Sequence, residues 1–154
     1  MRGSIPSLVL AAAGVMVLVA GVNKAVGWPD LPTVMKAHRV IPQAWASPVA
    51  VLVIAGETLA GFGAIIAVSS GRAARHAAWV LALAMAAFTA YSVLAASRAP
   101  DSSCGCGLPL ESGWGWVIAR NTATLAVLAW AIPRLRSATV IPTPGGSPSS
   151  AACV

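Results

Sequence analysis

Four long apolar stretches constrain this chain more than any other feature of its sequence. An apolar segment of about 20 residues crosses a lipid bilayer as an α-helix. The stretches cover about residues 5–26, 48–68, 76–96 and 114–132. They are rich in Ala, Leu and Val and lack the alternation that is typical of a membrane β-barrel. The sequence therefore predicts an all-α integral membrane protein, a bundle of four helices.

The composition supports a membrane protein over a water-soluble one. The 154 residues are 58% hydrophobic and 9% charged, whereas an average soluble domain is about 25% charged. A soluble fold of this length could not bury so much apolar side chain. The net charge of +6 comes without a basic run interleaved with aromatic residues, so it does not indicate nucleic-acid binding. We expect the positive charges to set membrane topology instead.

The chain divides into a membrane domain and a tail. We predict one four-span domain over residues 1–133 and a disordered cytoplasmic tail over 134–154, where a Pro-Thr-Pro-Gly-Gly-Ser-Pro-Ser-Ser sequence lacks any helical period. The first apolar stretch is longer than the 7–15 residues typical of a signal-peptide core. We therefore interpret it as a membrane span that is retained.

Lys and Arg in the short loops predict the orientation of the spans. One side of the membrane would hold Arg2, Arg72, Arg75, Arg134 and Arg136. The other would hold Lys36, Arg39 and Arg98, with Lys24 at the end of the first span. The difference in the number of Lys and Arg residues between the two sides is small, but it predicts that both termini lie in the cytoplasm of the cell. The loops of about residues 27–47 and 97–113 are then on the outer face of the cell membrane.

The first outer loop contains the pattern of a short amphipathic helix. Asp30 can cap a helix that begins near Pro32, and Pro42 would end it. The face that we expect to lie at the membrane interface comprises Leu31, Val34, Met35 and His38. No partner for His38 can be identified from the sequence, so it is interpreted as an interfacial residue, with proton handling as the alternative.

Cys104 and Cys106 lie in a Ser-Ser-Cys-Gly-Cys-Gly sequence in the second outer loop. A disulfide between residues two apart closes a small strained ring, and strained exposed disulfides are suited to exchange chemistry. Two thiolates could also hold Cu(I), although no nearby His, Met or further Cys completes a zinc site. An inert or structural pair is the third interpretation. Cys153 does not match a prenylation motif and is interpreted as a free cytoplasmic thiol.

No cysteine lies inside a predicted span. Thiol–disulfide exchange alone therefore cannot carry electrons across the bundle, because it needs sulfur atoms at successive positions. An outer pair that turns over must be reset by a second protein or by a lipid-soluble oxidant such as quinone.

Glu57 lies near the middle of the second span, where an unpaired carboxylate is costly and a functional role is the default interpretation. Lys24 and Arg120 are its candidate partners. The three residues could form a buried polar cluster that steadies a thiolate, moves protons or binds a quinone headgroup. Alternatively, Lys24 and Arg120 could extend their side chains to the membrane interface, and Glu57 could be a neutral, hydrogen-bonded acid.

Several short motifs occur in a characteristic order along the four spans. They are Gly-Val-Asn-Lys at 21–24, Val-Ile-Pro at 40–42, Glu-Thr-Leu-Ala-Gly at 57–61, Cys-Gly-Cys-Gly at 104–107 and Trp-Val-Ile-Ala-Arg-Asn at 116–121. In order and spacing the chain resembles the methylamine-utilisation protein MauE family, within the DoxX-like group of four-helix membrane proteins. The family motif commonly reads Cys-Gly-Cys-Phe-Gly, whereas Gly107 and Leu108 follow the second cysteine here.

The resemblance implies a redox-associated membrane protein that is linked to disulfide chemistry in the maturation of exported proteins, with thioredoxin-like exported proteins as partners. The leading hypothesis is a thiol–disulfide oxidoreductase. Its candidate catalytic residues are Cys104, Cys106, Glu57, Arg120 and Lys24. The alternatives are a non-enzymatic assembly scaffold with a structural cysteine pair and a Cu(I)-handling protein.

Overall fold

Long helices make up most of the computed structural model, which describes residues 4–102 and 113–135. The helices are α1 (Ser4–Val26), α2 (Leu31–Ala37), α3 (Ala46–Ala67), α4 (Gly71–Arg98) and α5 (Trp114–Ala131). Short 3-10 turns precede α3 and follow α5. The described residues contain no strand, and four of the helices are long and apolar enough to cross a membrane. The predicted all-α membrane bundle is confirmed.

The four long helices pack in a closed ring. Helix α1 packs along α3, α3 along α4, α4 along α5, and α5 returns to α1. Helix α4 is 28 residues long and extends beyond the apolar stretch of 76–96 at both ends. The added turns carry Arg72, Arg75 and Arg98, whose long side chains can keep their charges at the membrane surface while the backbone continues as a helix.

Apolar side chains cover the outside of the bundle as well as its interior. Leu8, Leu52 and Leu59 are each 70% exposed, while Leu10 and Leu81 are fully buried between the helices. A water-soluble bundle would place polar residues at such exposed positions. The exposed leucines instead suit contact with lipid chains, so the bundle has an apolar core and an apolar exterior.

Glycines allow α1 and α3 to approach each other closely. A Cβ atom on Gly61 would lie 2.6 Å from the backbone nitrogen of Leu18 and 2.7 Å from the carbonyl oxygen of Gly14. Further along the same pair of helices, a Cβ on Gly21 would lie 2.8 Å from Oγ1 of Thr58. Small residues at a membrane helix interface let the backbones come together. This contact sets the distance between α1 and α3 near Lys24 and Glu57.

Helix α2 forms where the sequence predicts a short helix, but two expected details are wrong. Asp30 occupies the N-cap position with helical backbone angles, and its side chain makes no capping hydrogen bond. The helix ends at Ala37 rather than at Pro42. The chain turns instead at Arg39, whose φ of 56° lies in the left-handed region.

The apolar face of α2 also lies against the protein instead of along the membrane interface. Leu31 and Met35 are buried in a cluster with Ala46 and Ala50 of α3. The reason is geometric, because the short connection from α2 to α3 folds α2 back onto the bundle. Helix α2 therefore covers one end of the space between the long helices.

Candidate functional site

An ion pair joins α1 to α3 inside the bundle. Nζ of Lys24, in the last turn of α1, donates hydrogen bonds to Oε1 and Oε2 of Glu57 at 2.9 and 2.8 Å. The two side chains are 5% and 11% exposed. Charges at such a position are tolerated when they are paired and hydrogen-bonded. The structure thus brings together two of the three residues of the predicted cluster in direct contact.

Helix α4 adds an aromatic ring to this pair. Nζ of Lys24 lies 4.9 Å from the centre of the Phe88 ring. A cation over an aromatic face is attracted by the negative charge of the π system. Lys24 is therefore held by a carboxylate from α3 and by a ring from α4.

Arg120 lies on α5 beside the same pair. A small cavity of about 20 Å³ is lined by Lys24, Glu57, Arg120 and Asn121 among others. Nη2 of Arg120 donates to Oδ1 of Asn121 at 3.2 Å. The volume suffices for one water molecule, which needs about 10–15 Å³ measured in this way. The third residue of the predicted cluster is therefore a neighbour of the ion pair across this cavity.

Asn121 is a site residue that sequence reasoning missed. It is 1% exposed, and its Nδ2 has no hydrogen-bond partner among the residues that the structure describes. A buried amide donor without a partner costs about 1–3 kcal/mol. The sequence signal that could have identified Asn121 is the presence of an amide side chain inside an apolar span, next to Arg120.

A second polar group lies at the end of the bundle that α2 covers. Nδ1 of His38 and the hydroxyl of Tyr91 share a hydrogen bond of 2.7 Å. The ring of Trp114, at the start of α5, meets the His38 ring edge to face at 4.9 Å. His38 is 2% exposed, so the expectation of an interfacial histidine is wrong. The folding of α2 onto the bundle carries His38, its C-cap residue, between α4 and α5.

Tyr91 and Trp114 were also missed from the sequence. Tyr91 is the single tyrosine of the chain and lies in the third apolar stretch. A hydroxyl in an apolar span usually needs a hydrogen-bond partner, and this was the signal that could have linked it to a polar residue such as His38. Trp114 begins the fourth apolar stretch, where a Trp at the membrane interface is common, so the sequence gives no signal of its contact with His38.

A larger cavity connects the two polar groups. Its volume is about 180 Å³, and it is partly open at the surface of the bundle. Lys24 borders it, and so do His38 and Tyr91. The rest of the lining is apolar, from Leu31, Met35, Ile41, Val49, Val53, Ala87 and Phe88. The surface of the cavity is therefore almost entirely apolar, although residues with polar side chains border it from α1, from the end of α2 and from α4.

Cys104, Cys106 and Cys153 lie outside the described residues, so their predicted roles remain predictions. The segment that contains the first two begins after Ser102 and ends before Gly113. Gly113 is the N-cap residue of α5, and Trp114 is the first residue of that helix. The chain that carries the two cysteines thus joins α5 at the residue that contacts His38.

The fold and the buried cluster place this chain in the class of small multi-pass membrane proteins that have a carboxylate–ammonium pair inside a four-helix bundle. The family model of methylamine utilisation protein MauE matches residues 2–134. The chain belongs to this family, which confirms the resemblance seen in its motifs. No curated protein and no solved structure gives a significant match.

Proposed function

We propose that this protein is a membrane thiol–disulfide exchange protein and that Cys104 and Cys106 are its reactive pair. The observation that carries the proposal is the edge-to-face contact between Trp114 and His38. Trp114 is the first residue of α5, the helix that follows the cysteine-bearing segment in the chain, and its ring contacts the buried ring of His38. This chain contains the two elements that exchange requires, a pair of cysteines and buried polar groups that can handle protons.

The exchange is a balanced two-electron reaction. A thiolate of a reduced partner attacks one sulfur of the Cys104–Cys106 disulfide, which forms a mixed disulfide and releases the other sulfur as a thiolate. The partner's second thiolate then attacks the mixed disulfide. The partner leaves as a disulfide, and both cysteines of this protein are reduced. The same steps in reverse would reduce a partner.

The partner class follows from the topology that we propose. With both termini in the cytoplasm, Cys104 and Cys106 face the outer compartment, where a thioredoxin-like exported protein or a maturing substrate protein can reach them. Residues 1–133 form the membrane domain in this proposal, and 134–154 form a cytoplasmic tail. The oxidised state is restored by a second protein or by a quinone.

The polar cluster supports the exchange from within the membrane. Lys24 and Glu57 form a pair that can hold or pass a proton, and Arg120 adds positive charge beside them. Positive charge stabilises a thiolate, which is the reactive form of cysteine. We therefore assign Lys24, Glu57 and Arg120 as positioning residues, which act through the cysteines and do not themselves form bonds with the partner.

Trapping of the mixed disulfide tests the proposal. Cys104→Ser and Cys106→Ser variants should each be expressed in their native membrane, and disulfide-linked complexes should be isolated after acid quenching of thiols. At least one variant should accumulate a complex with an exported thiol protein. Cys153→Ser is the matched control and should trap none.

The alternative functions give different results in the same experiment. A scaffold protein would trap no partner and would keep partner binding and activity after both cysteines are replaced. A Cu(I)-handling protein would contain copper after purification under reducing conditions and would lose it in the double serine variant. Either result would rule out the exchange mechanism and support the corresponding alternative function.

A further inference from the structure

We propose that the groove between α4 and α5 binds one molecule of an anionic phospholipid. The phosphate of the lipid lies at Arg75, and one of its acyl chains lies along the groove. This site is independent of thiol exchange, because none of its residues belongs to the cysteine pair or to the buried polar cluster. It follows from the lining, the length and the charge of the groove.

The groove runs along the outside of the bundle, where α4 and α5 pack against each other. Its volume is about 650 Å³, and it is open along one side. Small side chains, among them Ala86, Ala126 and Ala129, leave room between the two helices, and Trp79 and Leu83 add larger apolar surfaces. Because the bilayer core holds no water, an open apolar groove at this depth is filled by hydrocarbon.

The length of the groove matches one leaflet of a bilayer. Along α4 the groove extends from Arg75 to Ala86, which is about 16 Å at about 1.5 Å per residue. One leaflet is half of a hydrocarbon core of about 30 Å, and a phospholipid acyl chain is as long as the leaflet that it forms. A spanning helix of a partner protein would need a contact surface that continues across both leaflets. The groove therefore fits an acyl chain.

Arg75 lies at the end of the groove that meets the membrane surface. It is in the second turn of α4, close to the turn of residues 132–134 that follows α5. Arg75 is exposed, and its side chain makes no hydrogen bond or ion pair with another residue in the described part of the chain. A guanidinium can donate two parallel N–H bonds to a phosphate group. Arg75 is therefore placed to hold the phosphate of a lipid whose chain lies in the groove.

The charge around Arg75 favours a lipid with net negative charge. Arg72 and Arg134 lie at the same end of the bundle, and no acidic residue occurs in 58–100 or 112–154. A zwitterionic lipid also has a phosphate, but these arginines repel its ammonium group, and no carboxylate is present there to receive it. In the topology that we propose, this end lies in the cytoplasmic leaflet, whose anionic lipids give it a negative surface potential.

Quenching of Trp79 fluorescence by lipids with brominated acyl chains tests the site, because Trp79 borders the groove and is 51% exposed. The purified full-length protein is reconstituted into phosphatidylcholine vesicles with increasing fractions of brominated phosphatidylglycerol or brominated phosphatidylcholine. The difference between the unaltered protein and Trp79→Phe isolates the Trp79 signal. Half-maximal quenching should need about tenfold less of the brominated phosphatidylglycerol. Trp45, which is 62% exposed at the other end of the bundle, is compared in the same way with Trp45→Phe and should show only a weak preference.

Substitution of Arg75 tests the headgroup contact. Arg75→Gln should raise the fraction of brominated phosphatidylglycerol that gives half-maximal quenching by about tenfold, since hydrogen bonds to a charged group are lost. Arg72→Gln is the matched control, because it removes the same charge from the same end of α4 but does not border the groove. It should have a much smaller effect. Equal effects of the two substitutions would show a general attraction of anionic lipids to this end of the protein and would overturn the site.

A bulky side chain in the groove tests the acyl-chain contact. Ala126→Phe should weaken the quenching of Trp79, because the added ring occupies the space of the chain. Ala123→Phe should leave it unchanged, since Ala123 is also exposed on α5 but borders the space between α1 and α5. Thermal unfolding identifies any variant that does not fold, and the headgroup comparison in the unaltered protein decides the result in that case.

Two results would overturn the proposal. Equal quenching of Trp79 by the two brominated lipids, unchanged in Arg75→Gln, would show unselective contact with the surrounding bilayer. Absence of quenching by both lipids would show that a protein surface, such as a second copy of this chain, covers the groove. Quenching that prefers phosphatidylglycerol and depends on Arg75 and on the space beside Ala126 would support the proposal.

Discussion

The ammonium of Lys24 donates hydrogen bonds to both carboxylate oxygens of Glu57, at 2.9 and 2.8 Å, across the interface between α1 and α3. Burial makes each charge dependent on the other. The pair therefore links two adjacent helices within the polar cluster. Its contribution to the stability of the bundle can be measured with single substitutions.

Lys24→Met should destabilise the protein strongly, because it leaves the Glu57 carboxylate without its buried partner. Removal of one member of a buried pair costs about 3–5 kcal/mol. The Lys24→Met/Glu57→Leu double variant should recover most of that loss. Denaturant titration in micelles, followed by circular dichroism, measures the free energy of unfolding. Lys36→Met on α2, where Lys36 is exposed, is the control, and an equal effect of the two single substitutions would contradict the pairing.

Glu57→Gln should lower thiol exchange more than it lowers the folded yield. The amide keeps the shape of the side chain but loses the charge, and its NH2 group cannot accept one of the two hydrogen bonds that Lys24 donates to Glu57. We expect a loss of about 100-fold in the exchange rate with a reduced partner, the lower end of what a positioned proton-transfer group contributes. The yield of folded protein is measured in parallel by size-exclusion chromatography. Full activity in this variant would show that hydrogen bonding alone suffices at Glu57.

Gly61→Ala should destabilise the bundle, whereas Gly63→Ala should not. A Cβ on Gly61 would lie 2.6 Å from the backbone nitrogen of Leu18, while a Cβ on Gly63 meets nothing within 4 Å. The first substitution forces α1 and α3 apart, at a cost of about 1–3 kcal/mol. The second gains up to about 1 kcal/mol from helix propensity. Thermal unfolding of the two variants compares them directly, and similar unfolding temperatures would argue against close packing of α1 on α3.

Cys104 and Cys106 should react, once reduced, with a membrane-impermeant maleimide in intact cells, and Cys153 should not. The reason is the distribution of Lys and Arg among the loops. Single-cysteine variants give each position its own signal, and labelling after cell lysis confirms that each thiol is reactive. Labelling of Cys153 alone would reverse the orientation and remove the outer-compartment partner.

The Cys104–Cys106 disulfide should have a reduction potential well above about −300 mV, below which structural disulfides typically lie. The spacing of two residues strains the ring, and strain makes a disulfide easier to reduce. Titration in glutathione buffers, with mass-tagging of free thiols in a Cys153→Ser background, measures the potential. A value in the range of structural disulfides would favour the scaffold function.

The sequence alone determined the fold class and identified part of the candidate site. About 20 apolar residues define a membrane helix by themselves, because the backbone in lipid must satisfy its own hydrogen bonds. For the same reason Glu57 was recognisable as a candidate functional residue from its position in a span. The short helix α2 was also predictable, since its pattern is local.

Only the tertiary structure decided which polar residues meet. Lys24 and Glu57 are 33 positions apart, and His38 and Tyr91 are 53 apart. Their contacts depend on the rotation and depth of each helix, which the close approach at Gly61 and the folding of α2 onto the bundle establish. The sequence suggested Lys24 as a partner of Glu57 but left His38 at the membrane interface. A local sequence pattern indicates which side chains share one face of a helix. A cavity is lined by the faces of several helices, so its lining residues are set only when those helices pack together.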